Sequence, residues 1–232
     1  EWWLTGFTSL GVIAMLAPGL FVWADFVEVP DEAHVVEVTG QQWQWGFRYP
    51  GKDGVLGAAD PGLITEANPF GMKEDDPRGL DDVLVESSLM HLPVGRPVKV
   101  LLRSKDVLHD FAVAEFRVKM DMVPGAVSYL WLTPTVKGTY DILCEELCGV
   151  GHFVMRGKVR VEDSSDYEAW LDSQPTYADL RVQAQTNVVL GQASYAMCAG
   201  CHGAQGEGNP ALNAPRLAGL QDWYVTAQLE HF

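Results

Sequence analysis

The sequence predicts a mainly β protein, introduced by one membrane-spanning helix and followed by a small helical module. Three observations point to this. From Trp2 to Ala24 there are 23 residues without a formal charge in a chain of 232, long enough at ~1.5 Å per residue to cross a ~30 Å hydrocarbon core. Between His34 and Val161 short apolar runs recur, separated by turn signals such as Pro93-Val94-Gly95, Pro124-Gly125 and Lys137-Gly138, the spacing of an antiparallel sandwich or barrel. Beyond Glu162 helix-like stretches flank a Gly-rich segment.

The membrane segment occupies residues 1–25. Trp2, Trp3 and Trp23 stand at its ends, where amphipathic rings favour the interface, and Asp25, Glu28, Asp31 and Glu32 mark the exit into water. A signal peptide would need a basic leading region and a small-residue cleavage site, and neither is present. The chain starts at Glu1 without Met, so a further upstream segment is expected.

The β domain is expected over residues 26–162. His34 to Thr39 alternates imperfectly and runs on through Trp43-Gln44-Trp45-Gly46-Phe47. Further strands are expected at 83–86, 97–103, 107–114, 127–133, 138–143 and 153–161. Residues 50–82 are rich in Gly, Pro and Asp, and Asp53 to Glu86 holds nine acidic residues against two basic ones, an acidic insertion. Residues 163–186 read as a short helix (Tyr167 to Ser173, ended by Pro175) and a linker. Residues 187–232 read as a separate small domain with helices at Val188–Ala199 and Trp223–Phe232. The formal charge of -15 and pI near 4.6 argue against nucleic acid as a partner and favour a basic one.

Two motifs carry chemistry. In the first, Cys144, Cys148, His152 and Met155 lie within twelve residues after an expected strand. Soft thiolate and thioether donors with imidazole suit copper better than calcium or magnesium, and zinc rarely takes Met. A blue single-copper site uses one Cys; two thiolates can instead bridge two coppers, each completed by one His and one weak ligand. His109, on an expected strand 35 residues upstream, supplies the second imidazole, and the Glu146 carbonyl between the cysteines supplies the second weak ligand. A Cys144–Cys148 disulfide or a zinc site are the alternative readings. The second motif, Cys198-Ala199-Gly200-Cys201-His202, is the c-type haem attachment sequence: two thiols for the vinyl groups and a His for the iron. A zinc knuckle is its alternative, countered by Gly203, Gly206 and Gly208, which permit tight turns.

The first motif, with Asp106-Val107-Leu108-His109, Gly40-Gln41-Gln42-Trp43-Gln44-Trp45 and Asp121-x-x-Pro124-Gly125, resembles subunit II of cytochrome c oxidases over almost all of residues 1–162. The resemblance implies a cupredoxin-like Greek-key β-barrel carrying the dinuclear copper centre CuA, preceded by two transmembrane helices of which Trp2 to Ala24 is similar to the second. It implies that the Glu146 side chain binds Mg²⁺ at the boundary with subunit I. It also implies that Trp43 takes electrons from docked cytochrome c, and that Glu1 is similar to a carboxylate near a proton path. The segment after His202, with Pro215-Arg216-Leu217-Ala218-Gly219-Leu220 and Trp223-Tyr224-x-x-x-Gln228-Leu229, resembles class I cytochromes c, whose axial Met would follow Phe232.

A CuA domain fused to haem c resembles the caa3-type oxidases. That implies electron transfer from haem c through CuA to the haem of subunit I, where O2 becomes water and protons are pumped. Subunits I and III, a small cytochrome c and membrane lipid are the implied partners, with both metal domains on the outer side of a bacterial cytoplasmic membrane. A CuA subunit of a nitric oxide reductase, a nitrous oxide reductase and a copper-delivery module without electron transfer are the rival readings.

Overall fold

The computed structural model describes residues 2–65 and 68–230; Glu1, and the final two residues of the expected last helix, lie outside them. The first element, α1 (Trp2–Val27), has Pro18 inside it and no buried residue. Its 26 residues are long and apolar enough to cross a membrane. Among the described residues ten strands follow: β1 (His34–Gln41), β2 (Gln44–Tyr49), β3 (Val83–Val85), β4 (Leu89–Pro93), β5 (Val98–Ser104), β6 (His109–Val113), β7 (Val118–Met122), β8 (Ser128–Leu132), β9 (Gly138–Cys144) and β10 (Arg156–Glu162). Helix α2 (Ser164–Ser173), helix α3 (Tyr177–His202) and helix α4 (Asp222–Glu230) complete the chain. The expected order of apolar helix, two-sheet β domain and helical region is what the structure contains.

The strands form two five-stranded sheets, ordered β3-β2-β1-β5-β8 and β4-β10-β9-β6-β7. All pairings are antiparallel except β1 with β5 and β4 with β10. The apolar faces of Val36, Val38, Phe47, Val98, Val100, Phe111, Ile142 and Val159 meet in one buried cluster. Strand β10 alternates buried and exposed residues along most of its length, the pattern of a sheet with one wet face.

Strands β1 and β2 do not alternate, since five consecutive residues of each are buried. Their outward side is covered by the loop from Pro50 to Asp82. That covered side is polar: Arg48 donates to Glu37 Oε1 and Oε2 at 3.1 and 2.9 Å, to Asp82 Oδ2 at 2.9 Å and to the Gly57 carbonyl at 2.8 Å. Buried charges survive when paired and hydrogen-bonded in this way. Phe70, Met72 and Tyr177 form a second small buried cluster.

The structure differs from the expected elements at several places. The acidic insertion is more than a solvated charge run, because Asp60 and Asp76 cap 3-10 turns at Pro61–Leu63 and Pro77–Gly79, and Asp82 is buried. Strands β4 and β7 were not expected, although β7 reads Val-Lys-Met-Asp-Met, a strict alternation of apolar and charged residues. Residues 152–154 form a 3-10 turn rather than the start of a strand. Trp43 lies in the turn between β1 and β2, so it does not share a strand face with buried Trp45. The chain is helical from Tyr177, where a linker was expected. Two compact units divide between Ala178 and Asp179.

Candidate metal centre

Strand β9 ends on Cys144, and the loop that follows turns back through Cys148 and the 152–154 turn before β10 begins. Both cysteines are free and buried. Their sulfurs lie 3.7 Å apart. His109, the first residue of β6, is fully buried, and its Nδ1 lies 3.9 Å from Cys144 Sγ. The Glu146 carbonyl lies 3.2 Å from the same sulfur. On the other side, His152 Nδ1 and Met155 Sδ lie 3.6 and 3.8 Å from Cys148 Sγ. The six donor atoms expected from the sequence therefore converge at one end of the β domain, three around each thiol when the opposite sulfur is counted.

Neighbouring groups orient this set. His109 Nε2 is 2.8 Å from Asp106 Oδ1; a carboxylate only accepts, so Nε2 carries the proton and the Nδ1 lone pair faces Cys144. Burial pushes the Asp106 carboxyl up, but the hydrogen bonds it accepts from Gln42, His109 and Val107 outweigh this and hold it below its ordinary value. Burial, aided by the adjacent Cys144, pushes the Cys148 thiol up to about 11. Two thiols this close resist joint ionisation unless a cation neutralises them. His109, Cys144 and Cys148 alone place their ligand atoms within 4.8 Å of one another. Soft sulfur donors with two imidazole nitrogens fit copper, and the residues present fit the expected group.

Trp43 packs on the ligand loop: a Cβ at Gly151 would meet its ring at 2.3 Å. Its Nε1–H donates to the Cys148 carbonyl at 3.3 Å. The peptide bond between Gln42 and Trp43 is cis. Leu147, Val150, Phe153 and Val154 leave an exposed apolar rim around the loop. The sequence reading assigned no role to Asp106, which holds His109. The only signal available was a carboxylate three residues before the expected His.

In the second unit, Cys198, Cys201 and His202 fall in the last turn and a half of α3. Both thiols are free. The His202 Nδ1–H donates to the Pro215 carbonyl at 2.8 Å, which leaves Nε2 for a metal. Tyr195 donates to the Gly203 carbonyl at 2.7 Å, and Gly203, Gly206 and Gly208 all have positive φ, conformations that glycine adopts without strain. This arrangement fits a covalently attached haem.

A family model described as cytochrome c oxidase subunit II, periplasmic domain, matches residues 34–161. The chain belongs to the cytochrome c oxidase subunit II family. A second family model, cytochrome c, matches residues 188–232. An alternative cytochrome c oxidase subunit 2 from Bradyrhizobium diazoefficiens is 61% identical over 180 residues, covering 78% of this chain and 65% of the relative. A cytochrome c oxidase subunit 2 from Cereibacter sphaeroides is 31% identical over 176 residues, covering 71% of this chain and 58% of the relative. This subunit II chain thus spans about three fifths of the length of the curated relatives it matches. The solved periplasmic domain of subunit II of a Bradyrhizobium japonicum cytochrome oxidase is similar at 28% identity, with a TM-score of 0.46, covering 63% of this chain and 96% of that one.

Proposed function

We propose that this chain is the electron-delivering subunit of a membrane-bound haem–copper oxidase. It would hold a copper pair with His109, Cys144, the Glu146 carbonyl, Cys148, His152 and Met155, and a haem c with Cys198, Cys201 and His202. The observation that carries the reading is the convergence of two sulfurs 3.7 Å apart with His109, His152 and Met155 around them. When bound, a copper pair and a haem supply one-electron oxidation and reduction without bond chemistry.

The protein's own residues make that exchange easy. Cys144 and Cys148, from the end of a strand and a tight loop, would hold the copper pair through their sulfurs, and Asp106 holds His109 in one tautomer. Burial of Cys144, Cys148, Met155 and His109 excludes water, and His109 and Cys144 stand on β6 and β9, which pair within one sheet. Trp43, packed against the loop and hydrogen-bonded to Cys148, is the side chain we assign to receiving electrons from a docked donor.

The exposed rim of Leu147, Val150, Phe153 and Val154 is apolar surface of the kind buried in assemblies. We assign it to contact with the oxygen-reducing subunit I, where the half-buried Glu146 would share a Mg²⁺ ion. Subunit III, a small cytochrome c and lipid complete the proposed surroundings. Oxygen reduction to water and proton pumping belong to that assembly, with α1 in the bacterial cytoplasmic membrane and both metal-binding units on its outer side.

Elemental analysis and EPR of the purified full chain test the reading. Two coppers per chain are expected, with a seven-line hyperfine pattern that Cys148→Ser abolishes while covalent haem remains detectable by mass. One copper, or zinc, would overturn it.

A further inference from the structure

Gln42 sits in the turn between β1 and β2, beside the candidate metal centre but outside its donor set. This turn is fastened to the His109 side of the centre by three hydrogen bonds. The Gln42 backbone N–H donates to Asp106 Oδ2 at 2.7 Å, the Lys105 N–H donates to the Gly40 carbonyl at 3.0 Å, and Lys105 Nζ donates to Gln41 Oε1 at 3.0 Å. Asp106 in turn holds His109. From this anchored position the Gln42 side-chain amide reaches across to donate to the Cys148 carbonyl at 2.8 Å. One residue thereby joins the strand end that carries His109 to the loop that carries Cys148 and His152.

The ligand loop is shaped to receive this contact. Gly149 has a φ of 120°, and a Cβ there would lie 2.8 Å from Gln42 Nε2. Gly151 makes the matching room for Trp43. The two glycines after Cys148 therefore let residues 42 and 43 lie flat on the loop. Of the two donors on the Cys148 carbonyl, the Gln42 amide is the shorter, at 2.8 Å against 3.3 Å for Trp43.

We propose that Gln42 is a positioning residue: its amide locks the Cys148 loop against the His109 strand, so that the metal-binding donors keep their spacing and Trp43 keeps its contact with the loop. The inference rests on the reading of residues 144–155 as a copper-pair loop. It deepens that reading, because it says what holds the loop when the rest of its surface is an exposed apolar rim.

The test compares the full-length chain with Gln42→Met and Gln42→Glu. Met keeps the length and removes the donor; Glu keeps the shape and sets an acceptor against a carbonyl oxygen. In the metal-free proteins, hydrogen–deuterium exchange of residues 145–152 is expected to quicken about three- to tenfold in both variants, the effect of losing one hydrogen bond, with the β5 and β10 peptides unchanged. In the copper-loaded proteins, copper is expected to pass to a chelator faster by a similar factor, and the near-infrared band of the metal pair is expected to shift. Exchange within twofold of the parent, or an unchanged band, overturns the proposal. If the parent chain itself holds fewer than two coppers, the copper reading fails, while the metal-free exchange comparison still decides whether Gln42 locks the loop.

Discussion

Asp82 shows how one side chain can make the stability of this domain depend on pH. It is buried beneath the insertion with Arg48 and the Gly57 N–H on one oxygen, while its other oxygen has no hydrogen-bond partner among the described residues. Burial pushes its carboxyl up to about 6, despite the opposing effect of Arg48. A folded-state value above the unfolded one means the native state binds the proton more tightly. The stability from that proton is complete below pH ~3.8 and is lost as pH rises through about 6. Asp110 is raised in the same sense, whereas His34 is lowered by burial and by Arg96 and acts oppositely. Asp82→Asn isolates the single group. Denaturant titrations at pH 4 and pH 6.5 are expected to show the parent losing stability relative to Asp82→Asn as pH rises; equal slopes would mean that Asp82 is already ionised at the lower pH. The same scale limits what a sequence reader sees. The chemistry of Cys144, Cys148, His152 and Met155 is legible because they are close in sequence, but the partners of Arg48 are Glu37 and Asp82, which are indistinguishable from surface acids until the insertion is folded over them.

Among the elements, α1 and β8 are joined by side chains rather than by a shared core. Trp131 Nε1 donates to the Phe26 carbonyl at 2.9 Å and Tyr129 to the Val27 carbonyl at 3.2 Å. These carbonyls belong to the last turn of the helix, where no intrahelical donor remains. Strand β8 thus caps the apolar helix and sets how the β domain leaves it. Trp131→Phe keeps the ring and deletes the donor. The expected loss is about 1 kcal/mol locally, read as a few-fold faster amide exchange over residues 26–34 with β10 unaffected. No change there would show that the carbonyls are served by solvent. Element types were readable from charge-free length in α1 and from alternation in β5 and β10. The short β4 escaped because four of its five residues are buried without alternating, and β7 was missed although its Val-Lys-Met-Asp-Met alternates over five residues.

At the scale of the whole molecule, the charge of -15 is partly spent internally. Asp82 is buried and Asp76 is tied to Arg78, so the insertion is a folded cover as much as a negative surface. In the proposed function, the remainder would attract a basic electron donor. Reduction of the loaded chain by a basic cytochrome is expected to slow severalfold as ionic strength rises from ~0.01 to ~0.15 M and the screening length falls from ~30 to ~8 Å. Stopped-flow rates independent of salt would leave the acidic surface with a solvating role.

What the sequence determined by itself was local: the charge-free span, the paired cysteines with His152 and Met155, and the haem attachment motif. Each is a short-range pattern whose spacing already limits its chemistry. Only the tertiary structure decided the contacts between segments far apart in the chain. It set Asp106 on His109, an imidazole the sequence had already assigned to the centre, laid Gln42 and Trp43 on the Cys148 loop, and closed the insertion over Arg48. Those contacts arise from strand order and loop closure, which no local pattern of residues encodes.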